Sequence, residues 1–546
     1  MNAVQKYETI KTQMHKTFQK RSNVMSYTKA VSRILSAVFS IFLIANLALG
    51  QNLKLGGSAT TYGGTWKVKG NIDNTNKTVA VTFTDIVQLT GTAAQAVGVA
   101  TKPDINFTTL TATGASGKTF AVNSSIATAI DMTTGTGTSF ALAAGTKLTV
   151  VGAVNNTGTQ GTYDFSTGEV NYAGATQTVY GTAYGKLTVS AAGTKSLGGA
   201  ASVTTALGVS AGDLSIGANT LTIDGTYTVN TGSSVIGGTS SNMVLGGNGD
   251  LPQFAVTNGL NNFTLNRNTN TVTLSSPLSV AGALALNNGT LAVGTSTLTL
   301  KGAVSAAGSG ALTSTPTGTV DYNAGTQTVL ASNYGNLTFT AGNKTLPSTG
   351  TVGIAGAFSP GPGTPVVAGS TIDFNGTGTQ TIPVFTYNNL VTEGAGSTKN
   401  AGGSLSIAGT LDNGGSLNQN VTLNMSTYTL GVTGDNTGAT VQFGGPSNGV
   451  QFTTGTVEYN AISGDQIIAG NANYATNRYA TLLLSGGGTK TVSSGNANVA
   501  VDGGLTVGST VTLVVDLGRE LLVGYTAGDL TIDGTVTNSG TITVGQ

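Results

Sequence analysis

The chain has 546 residues, of which 81 are glycine and 8% are charged, with no cysteine and one histidine. Disulfides and thiol chemistry are therefore excluded, and the one histidine, His15, lies in an N-terminal leader expected to be cleaved. Cleavage would also remove Lys6, Lys11, Lys16, Lys20, Arg21, Lys29 and Arg33 against one acid, Glu8, so the remainder is acidic and lacks the basic patch that nucleic-acid binding requires.

Residues 1–50 read as leader and signal peptide. Ser32 to Gly50, "SRILSAVFSIFLIANLALG", is an apolar run behind Lys29 and Arg33, and Ala48 and Gly50 place small residues before a cut at Gln51. The run is too short and too close to that cut for a permanent membrane helix. Met25 opens an ordinary basic n-region and is the expected start. Residues 51–77, which hold the sole tryptophan, Trp66, match no later phrase and are expected to cap the N-terminal end.

From 78 to 546 the text repeats. Val, Leu and Ile recur at every second position, as in "KLTVVGAV" and "STLTLKGAV", the period of strands with one buried face. A first phrase joins a Val/Ile, an aromatic and a Gln: Val170, Tyr172, Gln177; Val320, Tyr322, Gln327; Ile372, Phe374, Gln380; Val457, Tyr459, Gln466; and, more weakly, Val87, Leu89, Gln95. A second phrase follows, clearest in "YGKLTVSAAGTKSL" from Tyr184, "YGNLTFTAGNKTL" from Tyr334 and "YATLLLSGGGTKTV" from Tyr479. Its central residues Leu110, Leu187, Phe263, Leu337, Leu390 and Leu482 recur about every 75 residues, with one interval shorter and one longer. A stack of coils can gain or lose a coil where a closed sandwich cannot. The predicted fold is therefore all-β, a right-handed parallel β-solenoid with repeats of about 75 residues, each of three or four coils. The rival is a string of small β-sandwich domains. Asp-Gly and Asn-Gly pairs at Ile223, Ile532 and Asn287 are expected to give positive φ at corners, and Thr to face outward. The text from Gly534 onward still reads as strand, so the stack is expected to continue into a partner or further sequence.

These phrases resemble the Gly/Thr/Asn-rich repeats of large secreted bacterial surface proteins, in the filamentous-haemagglutinin and adhesin-like β-helix class, with a style like that of Bacteroidetes surface proteins. The resemblance implies attachment, matrix or cell-surface structure, and it specifies architecture without specifying a ligand.

Ser–His and Cys–His nucleophiles and His-bearing zinc sites are closed to the mature chain. A β-helix polysaccharide lyase or hydrolase would need clustered Asp/Glu, or Asp with Lys/Arg, on neighbouring coils. Instead Asp224, Asp502 and Asp533 sit in Asp-Gly corners, where turn chemistry explains them. Asp321, Asp373 and Glu458 share one slot after Val/Ile, filled by Asn171 in another copy, and read as outward strand positions. "GGNGD", Gly246 to Asp250, falls one residue short of the calcium nonapeptide and reads as chance. Thr82 with Thr84 and Thr297 with Thr299 are candidates for an ice-binding rank, against ordinary strand propensity. Tyr172, Tyr322 and Tyr459 read as corner packing rather than an exposed sugar-contacting ladder. No catalytic, cofactor or metal residue is assigned. The expected protein is a secreted, non-enzymatic surface element whose partners are surface polysaccharide or proteins of a host or neighbouring cell, meeting membrane only through its export signal. A carbohydrate-active β-helix enzyme and an ice-binding solenoid are the alternatives.

Overall fold

The computed structural model describes residues 51–133, 137–158, 161–412, 420–434, 449–452, 454–470, 478–494 and 497–545. The signal segment within 1–50 and the start at Met25 lie outside them. Among the described residues there is no helix: parallel strands stack as a β-solenoid of about 22 turns, roughly 21 residues apart. They form two compact units, one through Gly198 and one from Gly199.

The turn, rather than the 75-residue sequence unit, is thus the structural repeat. Inter-turn pairing is renewed at every circuit, whereas the longer spacing only tracks where particular corner residues recur. Toward the C-terminal end each turn carries short strands on separate sheets. In the C-terminal unit Thr481–Leu484 and Thr489–Val492 pair with Leu505–Val507 and Thr512–Val515, which pair in turn with Leu530–Ile532 and Thr535–Asn538. Val499–Val501, Glu520–Val523 and Thr541–Val544 form the third side. In the N-terminal unit, strands within 51–77 already pair forward, Leu53 with Ile72 and Trp66 with Val87.

Alternating side chains explain the register. In Thr319–Tyr322 and Asn336–Phe339 the Thr, Asp and Asn positions face outward, half-buried, while Val320, Tyr322, Leu337 and Phe339 are buried. The two sequence phrases lie on successive turns, apolar residue on apolar residue: Val87 on Leu110, Val170 on Leu187, Val320 on Leu337, Ile372 on Leu390 and Val457 on Leu482. Each such side chain contributes about 1.5–3 kcal/mol relative to exposure, and a one-residue slip would turn the whole set to solvent. Aromatic rings stack in the same way, Phe83 on Phe107 with centroids 5.5 Å apart and Phe140 on Tyr163 at 5.6 Å.

The corner glycines act differently from expectation. Gly289 has φ +87°, but Gly225 and Gly534 of the Asp-Gly pairs are not in the left-handed region. A Cβ on Gly225 would sit 2.0 Å from the Thr205 carbonyl oxygen, and one on Gly534 2.4 Å from that of Gly508. Close approach between turns excludes a side chain there.

Tyr172, Tyr322 and Tyr459 are wholly buried, as corner packing requires, and each meets the tyrosine that opens the next phrase. The hydroxyl pairs are Tyr172–Tyr184 at 3.0 Å, Tyr322–Tyr334 at 2.9 Å and Tyr459–Tyr479 at 2.9 Å. The first tyrosine of each pair accepts the backbone N–H of Tyr180, Leu330 or Ala469, and the second donates to the carbonyl of that same residue. In the Ile372 copy the first ring is Phe374, which cannot accept, and the matching residue is Pro383, which has no N–H to offer. Tyr387 still donates to the Pro383 carbonyl at 2.9 Å. Two substitutions far apart in chemistry therefore compensate one another. Tyr322→Phe is expected to cost about 1–3 kcal/mol by orphaning the Leu330 N–H, and adding Leu330→Pro should recover most of that loss. A denaturant-unfolding double-mutant cycle reads the coupling; strictly additive losses would contradict it.

Candidate functional site

The residues that could carry chemistry concentrate at the corners, where the backbone leaves the strand ladder and its peptide groups need other partners. The Gln of the first phrase meets that need identically in each copy. Its Oε1 accepts the N–H of a residue just before it: Gly91 (3.0 Å), Gly174 (2.6 Å), Ala324 (2.8 Å), Gly376 (2.8 Å) or Ala461 (3.1 Å). Its Nε2 donates to two carbonyls of the preceding turn: Val68 and Gly70, Val150 and Gly152, Leu300 and Gly302, Ile354 and Gly356, or Val432 and Gly434.

A lysine of the second phrase stacks in register on each of these glutamines: Gln95 on Lys118, Gln177 on Lys195, Gln327 on Lys344, Gln380 on Lys399 and Gln466 on Lys490. These lysines are almost completely buried, and carbonyl dipoles hold their ammonium groups. Lys118 donates to Gly91 O at 3.0 Å, Lys344 to Ala324 O at 2.8 Å, Lys399 to Gly376 O at 2.6 Å and Lys490 to Ala461 O at 3.2 Å. These are the residues whose N–H groups the glutamines accept. Lys195 instead uses the carbonyls of its own turn, Ala191 to Gly193. Gln and Lys thus tie three successive turns through one corner peptide. Burial lowers both the Lys118 and the Lys399 ammonium to about 8. The sequence reading passed over these lysines, although each second phrase quoted above contains one; their recurrence was the available signal.

The "GGNGD" loop holds a cation of another kind. The guanidinium of buried Arg267 donates to the carbonyls of Gly246 (2.6 Å), Gly249 (2.6 Å), Asn248 (2.8 Å) and Gly225 (2.9 Å). Asp250 accepts the Thr271 N–H at 2.8 Å. The loop carbonyls are thus already occupied by an arginine.

The acids singled out above are not brought together as a group. Asp502 pairs with Arg478 at 2.7 Å, and that guanidinium lies 4.0 Å from the centre of the Tyr525 ring. Asp321 accepts the Thr340 hydroxyl at 2.7 Å, and Glu458 that of Ser485 at 2.5 Å. Asp373 departs from the outward reading of its slot: it is only 8% exposed, and its Oδ1 finds no hydrogen-bond partner among the described residues. Burial raises its carboxyl to about 7, with Glu393 adding to the rise and Lys399 and Asn375 opposing it. A shallow depression of about 340 Å³ lies by the Gln380 corner, lined by Ala355, Phe358, Thr379 and Pro383 among others. Threonine ranks are interrupted: Thr297 stacks on Thr319 and then Asn336, and Thr299 on Asp321.

Comparison with protein-family models, with curated proteins and with solved structures finds no match. Gln327→Leu and Lys490→Met are each expected to destabilise by about 2–4 kcal/mol, because several buried peptide groups lose their partners at once. Denaturant midpoints of the two variants check this; a loss below about 0.5 kcal/mol, the range of ordinary surface substitutions, would contradict the staple.

Proposed function

We propose that the chain is a secreted, non-catalytic element of a bacterial surface, structural or adhesive, that presents β-solenoid faces for attachment or matrix formation. The observation that carries this reading is the use made of the recurring polar residues. Gln, Lys and paired Tyr, the groups repeated copy after copy, are spent on inter-turn hydrogen bonds inside the stack. What recurs outward on half-buried strand positions is chiefly Thr, with Asn and Asp. Such faces suit many weak contacts along a repeated surface, where multivalency substitutes for one deep pocket. Surface polysaccharide and the surface proteins of a host or neighbouring cell are the partners proposed.

One observation favours a carbohydrate-active enzyme instead: Asp373, Glu393 and Lys399 interact electrostatically across neighbouring turns. Against it, the Asp373 carboxyl is closed to a polymer by its burial.

Incubating the purified chain with insoluble and soluble polysaccharides separates the readings. Retention without release of reducing or unsaturated ends is the expected outcome. Release above a buffer control, abolished by Asp373→Ala, would select the enzyme.

A further inference from the structure

One position on the second-phrase turn is marked by its backbone bond to the first-phrase turn. Thr113 donates its N–H to Leu89 O, Thr340 to Tyr322 O, Ser485 to Tyr459 O and Glu393 to Phe374 O. Where this residue carries a hydroxyl beside an acid, it satisfies that acid, as Thr340 does for Asp321 and Ser485 for Glu458. Beside Asp373 the hydroxyl is replaced by a second carboxyl group, that of Glu393. The ladder neighbours of Asp373, Gly353 and Val391, offer it no polar side chain, so relief comes only from Asn375 of its own turn and from Lys399. The space a Cβ on Gly353 would need is filled by the side chains of Asn333 and Asn375, at 2.3 and 2.8 Å. That filling helps to seal Asp373 from water.

We propose that Asp373, buried beside the carboxyl group of Glu393 on the adjacent turn, forms a pH-sensitive latch between Thr371–Phe374 and Asn389–Thr392. Holding a proton, Asp373 closes this contact. Ionised, the Asp373 carboxylate is buried with its Oδ1 unpartnered among the described residues and faces Glu393, and the strands open locally. The charged groups facing Asp373 are Glu393, which favours the proton, and Lys399, which disfavours it. Lys399 is held in place by Gly376 O and by Gln380 Oε1, each at 2.6 Å, and so does not neutralise Asp373 by direct contact.

The sign follows from the carboxyl being raised from 3.8 to about 7 in the closed stack. The opened form loses its proton near the ordinary value while the closed form keeps it. Closure is therefore strongest below about pH 4, weakens as pH rises to about 7, and then levels off.

Copies elsewhere in the chain supply conservative variants. Asp373→Asn follows Asn171, and Glu393→Thr follows Thr340. Amide hydrogen exchange, corrected for intrinsic rates, is measured at about pH 5 and about pH 7.5, with Thr319–Tyr322 and Asn336–Phe339 as the internal control. In the unaltered chain, protection of Thr371–Phe374 and Asn389–Thr392 should fall at least about tenfold more than in the control strands. Asp373→Asn should abolish the difference, and Glu393→Thr, which offers the acid a hydroxyl as Thr340 does, should reduce it. A fall no larger than the control's, or one that persists in Asp373→Asn, overturns the latch.

Discussion

The constraint on which the structure depends is that a buried peptide group must find a partner. Along the strands the parallel ladder meets it without help from side chains. At every corner the chain leaves the ladder, and roughly 21 residues later it must do so again. The polar residues of the interior are the answer to that recurring deficit. Glutamine suits it because one amide offers both donors and an acceptor, so it bonds to the preceding turn and to a residue just before it on its own. Lysine and arginine are donors only, and the carbonyl oxygens left over at the corners take them.

This arrangement gives the buried cations an unusual setting. Lys118, Lys195, Lys344 and Lys490 are closed off from solvent, and carbonyl dipoles rather than carboxylates hold them. Arg267 shows the same economy on a larger scale, drawing four carbonyls around one planar group. A cation bound in this way is costly to remove, because its loss orphans several acceptors together. The Phe374–Lys399 copy keeps the staple but alters its surroundings: Phe374 with Pro383 removes one acceptor and one donor together, whereas Asp373 with Glu393 replaces an acid–hydroxyl contact by two carboxyl groups. The first change keeps the hydrogen bonding in balance. The second leaves it out of balance, with Asp373 Oδ1 unpartnered among the described residues.

Much of the fold was legible in the residues. Val170 and Leu187, or Val320 and Leu337, sit at period two in recognisable phrases, and hydrophobic periodicity needs no knowledge of distant contacts. The outward placing of Thr and the corner role of Tyr322 could be read for the same reason. The turn length could not be read from the spacing of Leu110, Leu187 and Leu337, because that spacing counts recurrences of a phrase and not circuits of the chain. Glycine misled at Gly225, where the need is a bare approach to the Thr205 carbonyl and not a left-handed backbone. Local sequence cannot distinguish the two.

The sequence by itself determined an all-β chain without thiols, built of alternating strands with turn residues between them, since composition and period are local properties. Only the tertiary structure decided which turn lies on which, and with it every role that crosses between turns. Lys399 reads as one more polar residue until Gln380 is found beneath it, and Pro383 as an ordinary loop proline until Phe374 is seen to lack the hydroxyl that an N–H at that position meets in the other copies. Glu393 becomes distinctive once its place in the stack is seen to belong elsewhere to Thr340 and Ser485. The reason is physical: a hydrogen bond or a charge pair depends on separation in space, and the solenoid brings together residues about a turn apart that no local pattern connects.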